Sequence, residues 1–453
     1  MIVILGAGIS GLSFAHCLKK QGKDFILLES ANKVGGIVQT EKKDKFLCEL
    51  GPNTVLINNP EIKLLLEDLG LLKSTLQPDE GAINNRFVLK NGQAEPFPSS
   101  LKKAIKSKLM SWSTLFHVLK EPFKPSYNGE QEESLADFCK RRFGQQILDD
   151  FFTPFVTGIY AGNPEKMSIN YTMNMLKEAE EKHGSVMKGM FKMLKEKKQS
   201  NQRLGLPKQK IFSFKNGLNE LTSTIYNELK EHIRLNCRVN KIERESEGYL
   251  IHYQDNESSK TLKASKIISS IPAYALADLI QPFGQKLAEQ LLKINYVSAI
   301  SMHFSIEKNS IDFKSPAFGI LSRAAESVHF LGILFNSRFF HHTSEDSERE
   351  LITVITGGSR YPEMIRKQKS DLEAEITSDL KATLGLSEKP KLLSVRKWEN
   401  GIPQYELGHG AILESVEQFS SAHPNFHIIG NFLHGISVSD CIRNSFTLAK
   451  NKF

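Results

Sequence analysis

The chain opens on a short apolar run, Ile2-Val3-Ile4-Leu5, that breaks directly into Gly6-Ala7-Gly8-Ile9-Ser10-Gly11. An apolar run with no alternation predicts a parallel strand buried on both faces. The three glycines predict a tight turn at Gly6, close approach of a phosphate to the backbone at Gly8, and close helix–strand packing at Gly11. The helix that follows would offer unpaired N–H groups and its positive dipole end to that phosphate. Glu29 closes the next apolar run, Phe25 to Leu28, eighteen residues after Gly11. A carboxylate there binds the hydroxyls of an adenosine ribose and repels a 2′-phosphate. The unit therefore predicts an α/β, Rossmann-like domain for an adenine dinucleotide, FAD or NAD rather than NADP.

With 453 residues and 40% hydrophobic content, the chain is expected to form two or three domains with real cores. Lys and Arg number 59 against 51 Asp and Glu, and the surplus is spread along the chain. That balance suits anionic small molecules or a lipid surface and makes no case for nucleic acid. No apolar stretch approaches the roughly 20 residues that span a bilayer, and a strand starting at residue 2 is expected to leave no room for a signal or transit peptide. The expected location is cytoplasmic, with peripheral contact on the inner face of the membrane as the alternative. Cys17, Cys48, Cys139, Cys237 and Cys441 are odd in number, far apart and never in C-x-x-C. They are expected to be small buried apolar residues rather than disulfides, a metal site or a redox dithiol.

Residues 1–85 continue the nucleotide fold, with Gly35-Gly36 and Gly51-Pro52-Asn53 predicting further close backbone approach to a ligand longer than a mononucleotide. Residues 90–204 read as a Lys-rich helical insertion. There Met187, Met190, Phe191 and Leu194, spaced i, i+3, i+4, i+7, predict a core-facing stripe, with a membrane-resting face as the second reading. Residues 205–280 return to the first domain through strands at Ile211–Phe214, Ile233–Leu235 and Ile267-Ile268 and a helix over Leu218–Leu229. Residues 281–394, with part of 86–204, predict a mixed-sheet second domain: strands over Ala299–Phe304, His329–Phe335 and Leu351–Thr356, and a helix over Asp371–Leu384. Residues 395–453 close the first domain with a strand at His427–Ile429 and a helix opened by Ser437 to Asp440.

Cofactor-edge segments at the start, middle and end of the chain favour a flavin, whose ring lies far from its adenine, over NAD. The helix after Gly435-Ile436-Ser437-Val438 could present its positive end to the ring edge that gains charge on reduction, although the same cluster also reads as a plain N-cap turn. No nucleophile triad is apparent, and His341-His342 reads as solvated loop. The cofactor is expected to carry the difficult chemistry, with no side chain acting as acid or base.

Several segments together resemble the FAD-dependent porphyrinogen oxidases, the family of oxygen-dependent protoporphyrinogen oxidases and bacterial coproporphyrinogen oxidases. The strongest is Pro154-Phe155-Val156-Thr157-Gly158-Ile159-Tyr160-Ala161-Gly162-Asn163-Pro164. Others are Phe212-Ser213-Phe214-Lys215-Asn216-Gly217, Phe318-Gly319-Ile320-Leu321, Gly357-Gly358, Ile402-Pro403-Gln404-Tyr405 and Gly430-Asn431-Phe432 through Asp440-Cys441-Ile442. The resemblance implies FAD contacts at Gly6, Ala7, Gly8, Ile9, Ser10, Gly11, Glu29 and Ser30. It implies further FAD contacts at Ile37, Gly51, Pro52, Asn53, Thr54, Val239, Trp398, Ile436, Ser437 and Val438. It implies that Arg86 pairs with a substrate propionate, that Phe318, Gly319 and Leu321 flank the macrocycle, and that Gly158 lies near the ring nitrogens. The implied reaction is six-electron oxidation of a porphyrinogen in haem biosynthesis, with dioxygen as acceptor and hydrogen peroxide as by-product, followed by hand-over to a chelatase or another enzyme of the pathway. Lys33, Ile37, His434, Asn444-Ser445 and Ser322-Arg323 depart from the pattern, and Arg323 is either a second carboxylate anchor or a solvated arginine. A flavin amine oxidase and a non-catalytic flavoprotein partner in tetrapyrrole metabolism are the alternative readings. Neither the choice of porphyrinogen nor the oligomeric state is legible.

Overall fold

The computed structural model describes residues 1–98, 103–104, 107–127, 129, 131–207 and 210–453. Ile2–Leu5 is the central strand of a five-stranded sheet in the order 426–428, 266–269, 2–5, 25–28, 233–234, and every pairing in it is parallel. All four residues of the central strand are buried, because helices cover both faces. On one face Ile4 packs with Leu12, Phe14, Leu221, Ile225 and Ile442 from the helices Ile9–Lys20, Asn219–Leu229 and Val438–Lys452. On the other, Val3 and Leu5 meet Leu276 and Ile280 of the helix Ala273–Leu291 and Ile251 of a three-stranded antiparallel ribbon. The sheet draws strands from residues 2–28, 233–269 and 426–428, so the doubly covered parallel unit is built from segments far apart in sequence.

A second, seven-stranded sheet has the order 391–403, 296–307, 349–357, 332–334, 319–322, 86–90, 93–96. It is antiparallel except where Gly319–Ser322 pairs in parallel with Arg86–Lys90. Met302, Phe304, Ile320, Ile333 and Val354 form its core with Leu372, Ile376 and Leu380 of the helix Lys369–Leu384. The strand Lys391–Pro403 crosses the boundary expected between 394 and 395, and the strand read over His329–Phe335 is confined to Gly332–Leu334.

A helical region includes Trp112–Lys120, Leu135–Phe143, Thr153–Tyr160, Asn174–His183 and Val186–Arg203. A buried ion network ties it together: Arg142, fully buried, pairs with Glu121 and Glu180, and Arg141 is shared by Glu133 and Glu180. The expected core-facing stripe is not found. Met187, Phe191 and Leu194 are exposed, Phe191 to 74%, and only Met190 of the four packs partly against the helical core. Gly189 is the reason. A Cβ there would lie 2.7 Å from the Ala179 Cα, so the helix turns its Val186 and Gly189 face, not its Phe191 face, onto Asn174–His183. All five cysteines are buried and free. No helix among the described residues is long and apolar enough to cross a membrane.

Candidate functional site

Gly6 turns with φ +94° and is clamped by Ser270, whose hydroxyl donates to the carbonyls of Leu5 and Gly6 at 2.8 and 2.9 Å. A Cβ at Gly11 would stand 2.0 Å from the Gly6 carbonyl oxygen, so loop and helix meet with no room for a side chain. At Gly8 a Cβ would meet nothing within 4 Å. That open side faces a cavity of about 1140 Å³, large enough for a ligand longer than a mononucleotide. Gly8 caps the helix Ile9–Lys20 with no side-chain bond, which leaves the first-turn N–H groups to a ligand.

Glu29 stands beside this loop because its strand runs parallel to the first and ends level with it. Its Oε2 accepts from the Ala7 N–H at 2.6 Å and its Oε1 from the Ala31 N–H at 2.8 Å. The wall continues through Ser30, Gly35, Gly36, the exposed side chain of Ile37 and Val239. Val239 lies on the edge strand Cys237–Glu245, at a register shift between Val239 and Lys241, where the outer backbone edge has no neighbouring strand. Ile9, Ser10, Ile436 and Val438 complete the part of the wall expected from sequence. Ser437 is indeed an N-cap, its hydroxyl accepting from the Asp440 N–H at 3.1 Å, and its two neighbours also face the cavity.

Other predicted cofactor residues stand outside the wall. Ala7 and Gly11 belong to the loop and its helix, and Gly51 backs directly on Ile37, with a Cβ position 2.0 Å from the Ile37 carbonyl oxygen. Pro52, Asn53 and Thr54 follow it, Asn53 held by the Asn336 amide at 2.8 Å. Trp398 donates from Nε1 to the Leu50 carbonyl at 2.8 Å beneath the Arg396 guanidinium, 4.2 Å from its ring. Tyr274, Ala275 and Asp278, in the opening turns of Ala273–Leu291, and Asn400-Gly401 also line the cavity. No motif marks them. Of the departures, Ser445 donates to the Ser10 carbonyl at 2.9 Å and Asn444 to the His434 carbonyl at 2.6 Å, so both serve to seat the last helix. Lys33 is exposed.

The five predicted substrate residues assemble around the parallel strands Gly319–Ser322 and Arg86–Lys90 of the second sheet. Arg86 is the register partner of Gly319, and its guanidinium sits 5.4 Å from the Phe318 ring centroid. Gly158, on the helix Thr153–Tyr160, faces Leu321 so closely that a Cβ would lie 2.5 Å from its Cδ2. Gly319 is equally constrained, its Cβ position 2.4 Å from the Ile333 carbonyl oxygen. The Tyr160 ring meets Tyr405, whose hydroxyl donates to the Asn431 carbonyl, and Asn431 lines the cavity. This links the two clusters. Burial pushes the Tyr160 phenol up to about 12, so it stays neutral. Arg323 is neither of the things expected of it: it is withdrawn from solvent and paired with Asp150 and Glu326 at 2.7 Å each. Of the histidine pair, His341 is exposed, but His342 is half-buried against Phe340.

The sequence profile described as flavin containing amine oxidoreductase matches residues 9–450. The chain is 29% identical to protoporphyrinogen oxidase 1 of Spinacia oleracea, a chloroplast protein, over 99% of this chain and 83% of that one. It is 26% identical to coproporphyrinogen III oxidase of Bacillus subtilis, over 97% and 95%. In three dimensions it resembles a provisionally named protoporphyrinogen oxidase from Exiguobacterium sp. 255-15, with a TM-score of 0.83 at 22% identity over 99% and 97% of the chains. A reduced UDP-galactopyranose mutase has the same fold at a TM-score of 0.73 and 17% identity, over 100% of this chain and 96% of that one. A bare glycine loop, an uncapped helix start and a carboxylate at the tip of the second strand, set along one extended cavity, fit an adenine dinucleotide carrying a flavin. The chain belongs to the flavin-containing amine oxidoreductases, and it is an oxidoreductase whose cofactor is FAD.

Proposed function

We propose that this protein oxidises a porphyrinogen to the porphyrin with dioxygen as acceptor, in haem biosynthesis. The observation that carries the reading is the meeting of Gly158 with Leu321 beside Arg86 and Phe318. Three stretches of chain there form an apolar wall beside the Arg86 guanidinium, which has no carboxylate partner among the described residues, and this suits a flat hydrophobic ring that bears acid side chains. The full-length similarity to protoporphyrinogen and coproporphyrinogen III oxidases supports the same substrate class. When bound, FAD supplies the two-electron acceptor, and three rounds complete the six-electron change.

In this reading Gly6 to Gly11, Glu29-Ser30, Ile37, Gly51 to Thr54, Val239, Trp398 and Ile436 to Val438 hold the cofactor. Residues 1–85, 205–280 and 395–453 form its domain, apart from the strand Lys391–Pro403, which belongs to the second sheet. Residues 281–394, with part of 86–204, hold the substrate. Arg86 takes a propionate, for which a planar guanidinium fork is the better match. Phe318 and Leu321 flank the ring, and Gly158 brings a backbone carbonyl near its nitrogens. Aromatisation drives the reaction, so positioning of one bridging carbon supplies most of the rate and no side chain need act as acid or base.

The helical region of residues 90–204 is proposed to rest on a lipid surface, a route for a poorly soluble substrate and for release of product to a chelatase. Trp112, Phe116, Leu119 and Phe123 follow one another at helical spacing with exposures of 79, 56, 57 and 85%. The exposed Phe191 and Leu194 extend this stripe, since Lys188 of their helix lies over the Phe123 ring. Lysines flank the apolar groups, as an anionic interface requires. The test of function is porphyrin fluorescence against time for the purified flavoprotein with protoporphyrinogen and with coproporphyrinogen, with and without dioxygen. Oxygen-dependent oxidation above the protein-free rate is expected for at least one; none for either refutes the reading. Sedimentation with anionic liposomes at low salt tests the lipid face separately, and its absence there refutes that part alone.

A further inference from the structure

Arg360 leaves the strand Arg349–Gly357 through a turn in which Gly357 and Gly358 take φ of +93° and +67°. A Cβ at Gly358 would lie 2.5 Å from the Ala161 carbonyl oxygen, and Ser359 donates its N–H to that same oxygen at 2.8 Å. The turn is therefore locked onto the end of the helix that carries Gly158, and Arg360 enters the gap between that helix and the strand Gly319–Ser322. Its Nη1 donates to the Ser322 carbonyl at 3.1 Å and to the Ser322 hydroxyl at 2.9 Å, and its Nη2 reaches the Thr157 hydroxyl at 3.5 Å. Thr157 precedes Gly158 and Ser322 follows Leu321, so the guanidinium touches both segments that build the proposed substrate wall.

The charge balance around it is unusual. Arg323, next to Ser322 on the same wall, is matched by Asp150 and Glu326. The partners of Arg360 are two hydroxyls, a carbonyl and the Tyr361 side chain, all neutral. Burial pulls its guanidinium below its ordinary range, and no carboxylate among the described residues offsets that. A cation withdrawn from water without a counter-ion is costly to keep, and such groups gather where an anionic ligand arrives. Arg86, the other arginine at this wall, likewise has no carboxylate among the described residues. Arg86 is level with Gly319 and Arg360 with Ser322 on one strand. At about 3.3 Å per residue those levels are roughly 10 Å apart, a span comparable with the width of a tetrapyrrole.

We propose that Arg360 is a second carboxylate anchor, acting with Arg86 to hold two acid side chains of one macrocycle on either side of Leu321. It takes the part that sequence offered to Arg323, whose charge is already spent on Asp150 and Glu326. The inference rests on the porphyrinogen reading above and adds a specificity residue to it.

Arg360→Gln removes the charge and keeps an amide able to bond Ser322, while Arg360→Lys keeps the charge. Steady-state oxidation is measured for wild type and both variants, as FAD-loaded enzyme, with the free-acid porphyrinogens and with their carboxyl methyl esters in detergent. Arg360→Gln is expected to raise KM for the free acid by about tenfold to a hundredfold, with kcat within about twofold and FAD content unchanged. Arg360→Lys should recover part of that loss. With the esters, wild type and Arg360→Gln should have the same KM. An unchanged KM for the acid, or an equal rise for acid and ester, overturns the anchor role while wild-type turnover leaves the porphyrinogen reading standing. A wild-type enzyme that oxidises neither acid overturns both.

Discussion

Replacing Gly158 by alanine tests the proposed wall at its tightest point. Carbon atoms rest about 3.5–4.0 Å apart, and the added methyl would lie 2.5 Å from the Leu321 Cδ2, so something must move by about 1 Å or more. The helix is poorly placed to yield. The Tyr160 hydroxyl is bonded to the Thr172 carbonyl at 3.1 Å, and the helix end is held where Ser359 donates to Ala161 at 2.8 Å. The terminal carbons of Leu321 are the softer partner, and they move into the space the macrocycle would occupy. Overpacking of this kind costs ~1–3 kcal/mol, and displacing a reacting atom by about 1 Å can cost up to about a hundredfold in rate. Gly158→Ala is therefore expected to lower kcat/KM for porphyrinogen oxidation by about 10- to 100-fold, followed by porphyrin fluorescence. Flavin absorbance per protein should be unchanged, because the Gly6 to Gly11 loop is untouched. Adding Leu321→Ala removes the clashing atoms and should recover about tenfold or more of the loss, a coupling that independent sites would not show. If Gly158→Ala turns over like wild type, or if Leu321→Ala does not suppress its defect, the reacting carbon is not held against this pair.

Gly11→Ala sets a methyl 2.0 Å from a backbone oxygen that cannot rotate away, so the protein should purify without bound FAD, seen as loss of the visible flavin bands; retained flavin would contradict the loop geometry. Burial raises the Glu49 carboxyl from 4.5 to about 7, although the Leu218 N–H and the Thr40 hydroxyl donate to it at 2.8 Å each. The folded pKa lies above the unfolded one, so the stabilisation is full below about 4.5 and is lost as pH rises through about 7, a difference of about 3 kcal/mol. The Tm of Glu49→Gln should exceed that of wild type at pH 8 and converge with it near pH 4; parallel Tm profiles would show that the carboxyl does not titrate there. Arg142→Leu leaves Glu121 and Glu180 in a site with no solvent access to Arg142 and should destabilise the helical region by about 3–5 kcal/mol, read as an early thermal transition. A single transition at the wild-type temperature would mean that the network carries no net stability.

Much of the cofactor half was legible because its determinants are local. The run from Ile2 to Gly11 contains its own strand, turn and helix start, and Glu29 lies one strand away. The substrate half was harder to read. Phe191 and Leu194 have the spacing of a buried stripe, yet periodicity does not say which face of an amphipathic helix meets a neighbour, and here Gly189 decides it. Arg323 and Arg360 look alike as residues near the wall. Which of them meets carboxylates depends on Asp150 and Glu326.

By itself the sequence determined the parallel strand and glycine turn, the dinucleotide class of the cofactor, and the return of later segments to the first sheet. Each follows from backbone conformation and short-range patterning, which act within one element or between neighbours. Only the tertiary structure decided that Gly158 and Leu321 meet, that Tyr405 links that wall to Asn431, and that Arg360 has no carboxylate partner there among the described residues. Contact and charge balance between residues on separate elements are set by how helices and sheets pack, and no local pattern encodes them.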